Sequence, residues 1–262
     1  MGEKQEDGML IVLPRVDSTN TYAKNNFHDL SDGCVIAAEE QYAGRGRLGR
    51  KWFSAANLSI CATAVLKNVT QPFHAGIIVG LAGLELIREC IPDKFVFFKW
   101  PNDIYVNECK IAGILSEGVL EKGGLSGVVS GIGINVNQES GGFDMVASPA
   151  TSLALCAGKK FFLEKLRFEL AEKIKKYYIM YQSYPGNVVG LWRDENRLIG
   201  ENLVLILPDG RERQGCFTGI GENGEMILKS PEGEIFHFDC GDVKIDVSLI
   251  NFNSLLNNYK PV

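Results

Sequence analysis

Between two β-prone runs, Val35–Glu39 and Leu58–Leu66, the chain carries Gly44-Arg45-Gly46-Arg47-Leu48-Gly49-Arg50-Lys51-Trp52, which packs four cations, three glycines and one large aromatic into nine residues. The glycines satisfy G-x-G-x-x-G, but their setting rules out the dinucleotide fold. That fold needs a helix directly after the glycines, an acidic residue about 20 positions on and a parallel βαβ unit. Here Trp52-Phe53-Ser54-Ala55-Ala56-Asn57 reads as loop before a strand, and no acidic residue lies between Glu40 and Glu85. A G-x-x-x-x-G-K-[ST] phosphate loop is also missing from the sequence. The fold must therefore present a glycine loop strand to strand.

Such a loop suits a small anion. Glycine lets the backbone approach a ligand, arginine offers a planar fork to carboxylate or phosphate oxygens, and tryptophan adds a flat face. The formal net charge of the chain is -5, with a pI near 5.4, so the cluster is local. A general nucleic-acid binder usually has a basic face; a phosphorylated small molecule fits better. The charged start, Met1 to Gly8, has no apolar core of a secretion signal, and no apolar run reaches the ~18–20 residues of a membrane span. The seven cysteines are scattered, with no C-x-x-C pair. They read as reduced residues of a cytoplasmic protein with no zinc site.

The remaining pattern predicts a mixed α/β domain over residues 1–197 and a small all-β domain over 198–262. A strand at 9–16 precedes the N-cap signal Asp17-Ser18-Thr19-Asn20 and a short helix through Phe27. A helix over Pro72–Cys90 has Pro near its start and Pro92 beyond its end. Phe95–Lys99, Ile104–Val106, Lys110–Leu120 and Gly127–Asn137 read as strands, residues 138–150 as loop and Phe161–Tyr184 as an amphipathic helix. From Glu201, short strands alternate with Pro208-Asp209-Gly210, Glu222-Asn223-Gly224 and Pro231-Glu232-Gly233, ending with a strand at Val243–Val247; this suggests a small barrel.

Three further segments carry chemistry. In Lys99-Trp100-Pro101-Asn102-Asp103, the proline turns the chain and leaves Asn102 and Asp103 at a strand end. Lys110-Ile111-Ala112-Gly113-Ile114-Leu115-Ser116-Glu117 places small residues beside a lysine. Gly131-Ile132-Gly133-Ile134-Asn135-Val136-Asn137 puts glycines inside a strand, where they often mark close approach of a ligand or another backbone. Each is also compatible with an ordinary turn, an exposed lysine or a bulged core strand.

In this order, with Ser18, Thr19 and Gln41 ahead of the loop, the segments resemble the biotin–protein ligase family over residues 10–137, and over 200–247 by the small barrel. The resemblance implies a class II synthetase-like catalytic domain with a mainly antiparallel mixed sheet, plus an SH3-like C-terminal barrel. It implies activation of biotin by ATP and Mg²⁺, then transfer to a lysine of a biotin carboxyl carrier protein or domain. By the same resemblance, Ser18, Thr19, Asn20, Gln41, Gly44, Gly113, Gly131 and Gly133 would line the biotin slot. Trp52, Asn102, Asp103, Ile134 and Asn135 would meet the nucleotide, with Asp103 the one candidate near Mg²⁺ and no firm protein metal ligand. Arg45, Arg47 and Lys110 would serve both ligands as the catalytic cations, because joining a carboxylate to ATP brings two anions together. The loop carrying Trp52 would close over the reactive adenylate.

Some members of that family carry an N-terminal helix-turn-helix. Here only 16 residues precede Asp17, so no DNA-binding role is expected. The oligomeric state is left between monomer and homodimer. Lipoate–protein ligases and octanoyl transferases are the nearest alternative; an RNA-binding module that stacks bases on Trp52 is a more distant one.

Overall fold

The computed structural model describes residues 4–6, 9–121, 123–143, 149–207, 209–239, 244–245 and 250. Its first sheet has eight strands: β1 (Lys4–Glu6), β2 (Leu10–Val16), β3 (Val35–Gln41), β4 (Ser59–Leu66), β5 (Val96–Lys99), β6 (Asp103–Val106), β7 (Cys109–Glu121) and β8 (Gly124–Asn135). Their spatial order is β1-β2-β3-β4-β8-β7-β6-β5. The β2–β3 pair is parallel and is joined through α1 (Thr19–Asn25); the other neighbours are antiparallel. This is the expected mixed, mainly antiparallel architecture.

Strand alternation divides the central strands between two faces. On β4, Ile60, Ala62, Ala64 and Leu66 join the main core with α2 (Pro72–Cys90) and α4 (Leu163–Ser183). Val65 faces the other way, into a smaller core with Phe27, Ile36 and Val129 beside α1. Both faces of β4 are covered, so all eight of its residues are buried. The open part of the second face, beyond the α1 core, receives the glycine loop.

The second sheet is five-stranded and antiparallel, β12-β11-β10-β9-β13, from β9 (Asn202–Ile206), β10 (Glu212–Ile220), β11 (Met226–Lys229), β12 (Ile235–Phe238) and β13 (Lys244–Ile245). Leu203, Leu205, Phe217 and Met226 share the main core with the first sheet. Trp100 bridges the two parts: it is 1% exposed, and its Nε1 donates to the Gly224 carbonyl at 2.9 Å.

Several boundaries differ from the sequence reading. α5 (Pro185–Glu195) follows α4 directly, with Pro185 in its first turn. Two glycines weaken its helical signal, and only Val188 and Trp192 are buried, so tertiary contact sustains it. α3 (Leu153–Ala157) is capped by the Ser152 hydroxyl, which accepts from Leu155 N at 3.2 Å. β8 starts three residues earlier than expected, at Gly124, and α4 is trimmed at both ends. Residues 144–148 of the expected loop, Pro208 of a turn, Cys240, and Val243, Asp246 and Val247 of the last expected strand lie outside the described residues.

Candidate active site

Gly131 and Gly133 on β8, with Gly113 on β7, form a floor on the loop face of the sheet. At Gly133 the backbone carries the Trp52 indole directly: a Cβ there would sit 2.6 Å from Trp52 Nε1. At Gly131 a Cβ would collide with Asn20 Oδ1. Any side chain would therefore displace a site residue. This is the close approach that strand glycines signal. A Cβ on Gly113 would lie 3.1 Å from Lys110 Nζ and 3.2 Å from the Trp52 ring.

One end of the floor is a buried polar chain. Gln41 Oε1 accepts from Thr19 N at 2.9 Å and from the Thr19 hydroxyl at 3.2 Å. That arrangement turns the Gln41 amide nitrogen toward Gly44, where a Cβ would lie 2.7 Å from it. Thr63 Oγ1 lies 2.7 Å from both Thr19 Oγ1 and Asn20 Oδ1. Asn20 Nδ2 in turn donates to the Leu115 carbonyl at 3.0 Å and to Glu117 Oε2 at 2.9 Å. Ser18 is buried at the N-cap of α1 and makes no capping bond. Buried networks of this kind rigidify a site when their members are satisfied.

The roof is the loop. It closes as a short hairpin, with Trp52 N donating to the Gly44 carbonyl at 2.9 Å and Gly46 N to the Arg50 carbonyl at 2.7 Å. Its tip is a single 3₁₀ turn, Arg47–Gly49, in which Leu48 takes φ 54° and is 70% exposed. Arg45 donates to Glu117 Oε2 at 3.1 Å, and Arg47 to Asn102 Oδ1 at 3.0 Å. Trp52 Nε1 is buried against Gly133, on the side where the Cys61 thiol interacts with the indole.

The third side is the strand end. Asn102 is held by Ile114: its carbonyl accepts from Ile114 N at 2.8 Å, and its Nδ2 donates to the Ile114 carbonyl at 2.7 Å. Lys110 Nζ bonds Asp103 Oδ1 at 2.6 Å and lies 5.9 Å from the Trp52 ring centroid. Burial drives the neighbouring Lys99 ammonium below its ordinary pKa. Asn135 closes the floor, donating to the Thr151 carbonyl at 3.0 Å.

The structure thus gathers Ser18, Thr19, Asn20, Gln41, Gly44, Arg45, Arg47, Trp52, Asn102, Asp103, Lys110, Gly113, Gly131, Gly133 and Asn135 around one floor. Ile134 is the exception. It alternates with Gly133, is fully buried in the main core, and faces the helices. Only its main chain can serve a ligand, which corrects its expected place as a contact residue. Thr63 and Glu117 belong to the site and were not anticipated. Cys61, in register with Gly133, lies on the same face, and burial pushes its thiol up. A cavity of about 400 Å³ opens beside Arg47 and Asn102, between Phe98, Trp192 and Asn223 of the β10–β11 turn. Among the described residues there is no cluster of three or more His, Cys, Asp or Glu that could hold a metal.

Comparisons with known proteins meet this geometry. The Biotin/lipoate A/B protein ligase family pattern matches residues 12–135, which span the floor, the roof and the strand end. The biotin–[acetyl-CoA-carboxylase] ligase of Paracoccus denitrificans is 31% identical over 229 residues, covering 85% of this chain and 95% of that one. The chain belongs to the biotin–protein ligase family. The bifunctional ligase/repressor BirA of Escherichia coli is 30% identical over 244 residues, covering 92% of this chain and 75% of its own length. The biotin protein ligase of Aquifex aeolicus, solved with biotin and ATP, superposes with TM-score 0.75 at 28% identity, covering 91% of this chain and 98% of that one.

Proposed function

We propose that the chain is an ATP-dependent biotin–protein ligase. It joins biotin to ATP as biotinyl-5'-AMP and then transfers the biotinyl group to a lysine of a biotin carboxyl carrier protein or domain. The observation that carries this reading is the convergence of Arg45, Arg47 and Lys110 around a glycine floor that admits no side chain.

In the first step a biotin carboxylate oxygen attacks the α-phosphorus; an O–P bond forms and pyrophosphate leaves. No protein nucleophile is required. Arg47 and Lys110, each held by a neighbour on the β5–β6 turn, present fixed cations to the oxygens that gain charge. Asn20, Gln41 and Thr19 form the polar end that would receive the ureido group. In the second step the neutral lysine amine attacks the acyl carbon and AMP leaves with the bonding pair; positioning dominates there.

Mg²⁺ would be carried by the ATP phosphates, with Asp103 as the candidate carboxylate. It would neutralise phosphate charge. We divide the chain at 197/198 and assign the small domain to supporting the ATP side, because Trp100 ties its Gly224 turn to the segment bearing Asn102. None of the described helices is long and apolar enough to cross a membrane; a cytoplasmic location is proposed with the reduced cysteines.

The test is exchange of labelled pyrophosphate into ATP, run with biotin, lipoate and octanoate. Exchange with biotin alone is expected. Exchange with lipoate or octanoate alone would move the chain to the sister enzymes, and no exchange from folded protein would sink the ligase reading.

A further inference from the structure

The floor and the roof meet at one carboxylate. Glu117 lies on β7, on the same face as Gly113, and its side chain is only 19% exposed. Oε2 accepts from Asn20 Nδ2 at 2.9 Å and from Arg45 Nη2 at 3.1 Å, and Oε1 from Lys24 Nζ at 3.3 Å. Burial pushes this carboxyl up, but Asn20, Arg45 and Lys24 together outweigh it and hold it below the usual carboxylate range.

Arg45 is tied by one corner only. Its Nη2 serves Glu117 and also the Thr21 hydroxyl, at 3.2 Å. Its Nε and Nη1 make no bond to the described residues, so those donors of the guanidinium remain available to a ligand. A free arginine must give up rotamer entropy when it meets a ligand. One oriented beforehand gives up less, and preorganisation of this kind raises affinity.

We propose that Glu117 is a positioning residue for the ligase reaction: it fixes Asn20 on the floor and Arg45 on the roof with a single carboxylate, holding the remaining Arg45 donors in place for the anionic ligand. The proposal rests on the ligase reading above. Glu117 acts through Asn20 and Arg45 and touches no reacting atom. Simple competition would give the opposite sign, because a carboxylate that merely sequestered Arg45 would weaken biotin binding, and its removal would tighten it.

The experiment compares Glu117→Gln, Glu117→Ala, Glu117→Asp, Arg45→Ala and the Glu117→Gln/Arg45→Ala double variant in the full chain. Two readouts are taken: KM and kcat for biotin in pyrophosphate exchange, and the rate of tryptic nicking after Arg45, Arg47, Arg50 and Lys51 without ligand. Loss of a charge-assisted bond is expected to raise KM about tenfold in Gln and Ala, with kcat within about threefold. Nicking should quicken at unchanged melting temperature, and Asp should recover part of both effects. In the Arg45→Ala background the Gln change should add less than it does alone, because only the Asn20 and Lys24 contacts are left to weaken and coupled residues are non-additive. Unchanged or lowered KM, unchanged nicking, or additive effects in the double variant would overturn the proposal. If wild-type protein supports no exchange with biotin, the ligase reading fails by itself, and the nicking rates still decide whether Glu117 holds the loop.

Discussion

The floor and the roof of the site are built on opposite physical terms. The floor is made from strand backbone and short buried polar side chains, each bonded to a neighbour: Gln41 to Thr19, Thr63 to Asn20, Asn20 to Glu117. The roof is a glycine hairpin with half-exposed long side chains, fastened at its margins by Arg45–Glu117 and Arg47–Asn102. A rigid floor can read the shape of an uncharged ring. A roof fastened by one ion pair and one arginine–amide hydrogen bond can let go, admit a ligand and close on it. Energetically, the floor is costly to perturb and the roof is cheap to move, which suits a reaction that must shelter an anhydride and later expose it.

The sharpest way to break this contrast is on the roof. Arg47→Ala should cut adenylate formation about 10²–10³-fold and let bound adenylate leak, with the fold intact. Near-normal retention of the intermediate would remove the roof's chemical role.

Gly133→Ala asks whether floor and roof truly share a surface. Its methyl would push into the Trp52 indole, so the loop should lift while the sheet holds. Biotin-dependent exchange should fall about 10²-fold, the scale of a small misplacement. Normal exchange would mean that Trp52 does not need its seat on the floor.

Thr63→Val sharpens the floor side. It keeps volume but removes the hydroxyl between Thr19 and Asn20, leaving buried groups unpaired at a cost of about 1–3 kcal/mol. Denaturant unfolding should register the loss together with weaker biotin binding; an unchanged midpoint would show that the polar chain is dispensable.

The smallest effect serves as a control away from both layers. Glu85 joins α2 to α4 through Lys173, Lys176 and Tyr177. Burial raises its carboxyl, but those partners outweigh burial and lower it from 4.5 to about 2. Because the folded value is depressed, its stabilisation is present above pH 4.5 and is lost as pH falls toward 2. Glu85→Gln should cost about 1–2 kcal/mol at neutral pH, and the gap from wild type should close over that acid window. Exchange kinetics should not change; a changed KM would tie the helix layer to the site after all.

How much of this was readable in the chain depends on separation along it. The glycine loop, the turn at Trp100–Asp103 and the strand glycines announce themselves through neighbours a few positions apart. Ile134 could have been set aside by the same logic, since alternation from Gly133 turns it inward. Glu117 gave no such signal: its partners Asn20, Lys24 and Arg45 are 97, 93 and 72 positions away. Thr63 is likewise a threonine in an apolar run until β4 is placed under α1. α5 was hidden because its glycines lower helix propensity and only packing restores it.

By itself the sequence determined the local geometry, namely which backbone segments stay bare, which run carries cations and where strands and helices alternate, because those depend on side-chain sterics and short-range periodicity. Only the tertiary structure decided which cation meets which acceptor. The order β3-β4-β8-β7 lays residues from four distant stretches side by side, and hydrogen bonds form between neighbours in space whatever their distance along the chain.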